Sequence, residues 1–175
     1  MERLDAAIGA LSRTLALVAS VLLLLMLAII CADVLTRNVA LPGLPRGLAW
    51  SNEVSELLLY LITLLAAPWL LRRGQHIRVD IVLRAIPPAK AWACEWLADF
   101  LGLLCCLWMV WFGSRVAWKS YAEGAMSIKT LVTPEWWSLA PLPLAFALLA
   151  LEMLLRMRRL ALGPRGPRSE AVSAA

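Results

Sequence analysis

A chain of 175 residues with 62% hydrophobic residues and a mean hydropathy of +0.76 is more apolar than a soluble domain, which is nearer half apolar. The apolar residues are gathered into long blocks with few charges, which excludes a large water-soluble core and indicates a small integral membrane protein. The net charge of +5 sits at the ends of those blocks, which points to membrane orientation and away from nucleic acid.

The first predicted span is residues 11–34. Its apolar run, Leu15 to Ala32, exceeds the ~7–15 residues of a signal-peptide core, and no A-x-A cleavage site follows, so it reads as a retained span. Asp33 and Arg37 close it, four apart and on one helix face. The prolines and glycines between Val39 and Trp50 then make a loop.

The second span is residues 52–71. Its purely apolar part, Leu57 to Leu71, falls short of the about 20 residues that cross a bilayer at 1.5 Å each. The helix must therefore start near Ser51 or Asn52, either of which could cap it. That start places Glu53 and Glu56 in the first turns, on one face, where carboxylates suit the positive end of the helix dipole. Arg37 and Arg46 are nearby candidates to pair with them.

Then comes "RRGQHIRVDIVLRAIPP". Gly74 breaks the helix, and residues 77–86 mix apolar and charged side chains as a segment lying on a membrane surface does. Pro87 and Pro88 stop it. The third span, residues 91–116, carries Glu95 and Asp99 one helical turn apart near its start. An arginine from the turn after span two is the natural partner for either; contact with a partner subunit and an ion or proton path are the alternatives. The fourth span, residues 134–155, contains Pro141 and Pro143, which predict a bend or a tight packing point. Glu152 lies four residues before Arg156, so a local ion pair is expected. Residues 1–157 form one membrane domain on this reading, and 158–175 a disordered tail.

Four spans put twelve of the seventeen Lys and Arg residues on one side, including Arg3, Arg13, Arg72, Arg73 and the run from Arg156 onward. The positive-inside rule makes that side cytoplasmic. The expected class is an all-α integral membrane protein with four transmembrane helices and both termini cytoplasmic. Tryptophans agree: Trp50, Trp118, Trp136 and Trp137 fall at predicted outer ends, and Trp69, Trp92 and Trp96 at inner ends. Trp108 and Trp111 lie deeper, where packing or lipid contact is expected.

Little in the chain suggests catalysis. His76 is the single histidine, so a bis-histidine haem is excluded, and no Ser/His/Asp constellation or phosphate loop is on offer. Cys31, Cys94, Cys105 and Cys106 have no metal-ligand spacing and read as small apolar side chains. No enzyme activity, cofactor, metal or nucleic-acid partner is expected. An independent small proton-coupled transporter would have to use Glu95 and Asp99. No span looks discontinuous at its centre, where transporters build substrate sites.

The block from Trp50 to Pro88, with the four-span layout, resembles the small membrane subunit (DctQ-type, small permease) of tripartite ATP-independent periplasmic, or TRAP, transporters. Members show a Trp and acidic residues opening span two, then an apolar span, then an R-x-G-x-H-I-x-V-D turn with a proline stop. Trp50, Glu53, Arg72, Gly74, His76, Ile77, Val79, Asp80 and Pro87 match. Many members carry two adjacent acids after the Trp; this chain has Asn52 and then Glu53. "TLVTPEWW" is similar to the family's entry into span four. The block covers about a fifth of the chain and the layout nearly all of it.

The resemblance implies a bacterial inner-membrane protein that scaffolds a large permease subunit in sodium-driven uptake of an organic acid. A periplasmic substrate-binding protein is a further partner, alongside membrane lipids. It makes Trp50, Glu53, Glu56, Arg72, Gly74, His76, Asp80, Glu95 and Asp99 candidates for partner contact or structural fastening.

Overall fold

The computed structural model describes residues 2–39, 47–73 and 87–162. Four helical segments among them are long and apolar enough to cross a membrane. Helix α1 is Glu2–Asn38, α2 is Ser51–Arg72 and α3 is Pro88–Glu123. A two-stranded antiparallel hairpin follows, β1 (Met126–Ile128) and β2 (Val132–Pro134), in which Ser127 faces Thr133. The short α4 (Trp136–Leu139) leads into α5 (Pro141–Leu162).

Each span continues beyond its apolar run because the flanking polar residues still form helix. α1 and α3 extend well past residues 11–34 and 91–116. α3 stops at Gly124, which takes φ +61° at the C-cap, a conformation costly for residues with a Cβ.

Of the bend or tight packing point expected at the prolines of span four, the structure shows the packing point, since Gly113 of α3 lies against Leu142 and Pro143. The turn at Ala140 separates α4 from α5, and Pro141 opens α5, where a missing N–H costs no helical bond. A further interior proline is Pro68 of α2, which is buried and has no N–H to give the Leu64 carbonyl. α5 also runs past residue 158 into the stretch expected to be disordered. Its last turns have partners: Leu160 is buried, and its carbonyl accepts the Trp92 indole N–H at 3.4 Å.

The helices form an open row. α1 packs on α2, α2 on α5 and α5 on α3, so α1 and α3 are the two edges. The core sits mid-row, where Leu71, Cys106, Leu149 and Ala150 meet Phe146 and Met153. Close approach relies on glycine: a Cβ at Gly113 would stand 2.7 Å from Leu142 Cδ2 and 3.4 Å from Pro143 Cδ. An open row leaves much apolar surface uncovered by protein. Leu24 and Trp108 are 67% and 64% exposed, as side chains facing lipid or a membrane partner are.

Candidate functional site

The two ends of the row are built differently. At the end where α2 begins, Asp33 of α1 accepts the Leu48 N–H at 2.7 Å and the Arg37 Nε–H at 2.8 Å. Ser51 is buried and turns its side chain toward Asp33, not toward its own helix. Neither Ser51 nor Asn52 caps α2: the N-cap position is Trp50, which makes no side-chain cap bond. The Trp50 carbonyl accepts the Val54 N–H at 3.1 Å, and the residue is 38% exposed.

From the first turns of α2, Glu53 and Glu56 reach the hairpin. The tip residues Lys129, Thr130 and Leu131 lie between the strands. Glu53 Oε1 accepts the Thr130 N–H at 2.6 Å and Oε2 accepts the Leu131 N–H at 2.9 Å. Glu56 Oε2 pairs with Lys129 Nζ at 2.9 Å. That hydrogen bond, and then the charge of Glu56, hold the Lys129 ammonium above its ordinary pKa. The expected pairing of these glutamates with Arg37 is replaced, because Arg37 is engaged by Asp33; Arg46 is outside the described residues.

The hairpin base is closed as well. Glu135 N–H donates to the Ala125 carbonyl at 3.0 Å. An aromatic array lies beside it: Trp118, Tyr121, Trp136 and Trp137 follow one another with ring centroids 5.6 to 6.0 Å apart. Beneath the hairpin lies a groove of about 420 Å³ between α2 and the start of α5.

The opposite end is held by charge. Glu152 of α5 is 1% exposed and binds two arginines, Arg159 Nη2 at 2.6 Å and Arg72 Nη1 at 3.2 Å. Arg72 also reaches Asp5 of α1 at 3.1 Å, and its guanidinium occupies the space left by Gly9. One cluster thus ties α1, α2 and α5. The neighbouring pair, Asp99 with Arg156 at 3.2 Å, ties α3 to α5. Glu95 is buried one turn earlier.

One expectation changes here. Glu152 pairs with Arg72 of α2 and with Arg159, two turns along α5. The reason is burial: Glu152 faces α2 inside the row, where a carboxylate needs more than one donor. Asp99 has a partner in Arg156 of α5; the expected arginine from the turn after span two falls outside the described residues.

The structure therefore gathers Glu53 and Glu56 at the hairpin end, and Arg72, Glu95 and Asp99 toward the other. Gly74, His76 and Asp80 lie outside the described residues. Asp5, Lys129 and Arg159 complete these contacts and carry no signal in the sequence; Arg156, expected beside Glu152, meets Asp99. A carboxylate inside an apolar block, as Glu152 is, was the available signal. Among the described residues no group of three or more His, Cys, Asp or Glu could hold a metal ion.

Residues 26–163 match the family model described as tripartite ATP-independent periplasmic transporters, DctQ component. A comparison with curated proteins finds no match.

Proposed function

The chain belongs to the DctQ component family of tripartite ATP-independent periplasmic transporters, and we propose that it braces the large membrane subunit of such a transporter in a bacterial inner membrane. The large subunit then moves an organic acid inward on a sodium gradient, after a periplasmic binding protein delivers it. The chain carries no transport chemistry and no enzyme activity of its own.

Family membership carries this reading, and the geometry supports it. A sliding transport domain needs a fixed wall. Ion pairs link all four long helices at one end, and the hairpin is fastened at the other, so the row moves as one piece. Its uncovered apolar faces suit a membrane partner as well as lipid. Arginines beyond the helix ends hold the unit against anionic headgroups at about 1 kcal/mol each. Positive charge at the Arg72–Arg159 end supports a cytoplasmic location for that end and for both termini. Trp50, Glu53 and Glu56 are then periplasmic, beside the surface a binding protein would meet. Gly74, His76 and Asp80 belong to the cytoplasmic turn and fasten it to neighbouring helices or to the large subunit.

The reading as an independent proton-coupled transporter has less to rest on, since Asp99 is engaged by Arg156 at 3.2 Å. Uptake into proteoliposomes tests the division of labour. The chain alone should accumulate no organic acid under a sodium or proton gradient; uptake should appear when the large subunit and binding protein are added. Accumulation by the chain alone would overturn the proposal.

A further inference from the structure

We propose that the groove beneath the hairpin is a binding site for a phospholipid whose headgroup carries both a phosphate and a primary amine. The volume of about 420 Å³ is in the range of formed ligand sites. Its lining is mixed. Ser127, Lys129 and Thr133 of the hairpin and Glu56 of α2 line its polar part; Leu57, Tyr60 and Leu142 line its apolar part.

Depth decides between a water-soluble ligand and an amphiphile. Glu53 and Tyr60 are both in the lining, and the seven helical steps from one to the other span about 10 Å of helix axis. Each headgroup layer adds only about 5–8 Å to a hydrocarbon core about 30 Å thick. With Glu53 at the surface, Tyr60 reaches hydrocarbon. A polar solute would leave that part of the groove empty; an acyl chain fills it.

Charge decides the headgroup. Glu56 and Lys129, 2.9 Å apart and with side chains 69% and 50% exposed, present one carboxylate and one ammonium side by side. Such a rim repels neither end of a zwitterion and matches one laid antiparallel to it. Lys129 and the hydroxyls of Ser127 and Thr133 offer donors to phosphate, and Glu56 accepts from the amine. Glu53 already accepts two backbone N–H groups, which leaves Glu56 as the acceptor. A quaternary choline has no N–H to donate, so a primary amine is preferred.

The hairpin's pattern agrees with this assignment. Its polar Ser127 and Thr133 are cross-strand partners in the groove lining, with Ser127 half-buried and Thr133 exposed, while Met126, Ile128 and Val132 are exposed. A soluble hairpin would be expected to turn the polar face outward.

The test is native mass spectrometry of the full chain in nanodiscs made with equal parts phosphatidylethanolamine, phosphatidylglycerol and phosphatidylcholine. The expected result is a retained phosphatidylethanolamine, with about a tenfold lower bound fraction in Leu57→Trp, which fills the groove, at unchanged helix content by circular dichroism. Lys129→Ala should abolish the headgroup preference and leave some lipid bound. Equal retention by wild type and Leu57→Trp, or no preference among the three lipids in wild type, would overturn the site. The readout is made without the large subunit, so its failure is separate from failure of the scaffold role.

Discussion

Glu53 accepts the backbone N–H of Leu131 at 2.9 Å, across 78 residues of chain. With Thr130 at 2.6 Å, this makes one carboxylate the acceptor for two tip amides of the hairpin. The first turn of α2 thereby fixes the segment that leads into the fourth span. Replacing Glu53 with Ala should speed hydrogen exchange at Thr130 and Leu131 several-fold more than Glu53→Gln, which keeps an acceptor. Exchange mass spectrometry on the hairpin peptide checks it; equal protection in all three proteins would show that the contact does not hold the tip.

The Glu56–Lys129 pair is exposed, and exposed pairs contribute little to stability. Lys129→Ala should leave thermal stability nearly unchanged. The pH dependence has a definite sign. Glu56 raises the Lys129 pKa above 10.5, so the pair's contribution is fully present below that value and is lost as pH rises through the folded-state pKa. Titration of the Lys129 side chain by NMR should show the raised midpoint in wild type and its return toward the ordinary value in Glu56→Gln.

The buried cluster behaves differently. Removing Glu152 leaves Arg72 and Arg159 with Asp5, 38% exposed, as the carboxylate they still share, at 3.1 and 3.5 Å. Glu152→Ala should cost about 3–5 kcal/mol, as breaking a buried ion pair does. The double replacement of Glu152 and Arg72 by Ala should cost less than the two single changes added together. Unfolding in mild detergent measures both; strict additivity would mean that the two side chains are independent.

Two glycines separate rigid from yielding neighbours. Gly113→Ala meets Leu142, with the Pro143 ring behind it, and should cost about 1–3 kcal/mol. Gly102→Ala meets only the Met153 methyl, at 2.8 Å, and a methionine end can swing aside. Thermal melts of the two variants should rank Gly113→Ala as the more damaging.

The spans were legible in the sequence because apolar runs of membrane length are a local signal. The need for α2 to start near Ser51 followed from length alone, and it does start there. Its capping did not follow, because Ser51 is claimed by Asp33, a residue of another helix. The hairpin was also missed. Three-residue strands leave almost no periodic trace, and its tip is held by Glu53 from far along the chain. Of the fourth span's prolines, Pro143 is interior to α5 and Pro141 opens it, because the chain turns at Ala140. Glu152 and Asp99 were visible as carboxylates in apolar blocks. Their partners depend on which helices are neighbours, and apolar periodicity does not report that in a membrane, where lipid-facing and helix-facing residues look alike.

The most direct measurement is a mild-detergent pull-down of the tagged full chain from its native membranes, with the partners identified by mass. The scaffold account predicts recovery of a much larger polytopic membrane protein at equal stoichiometry. Recovery of the chain alone, or only with copies of itself, would contradict it.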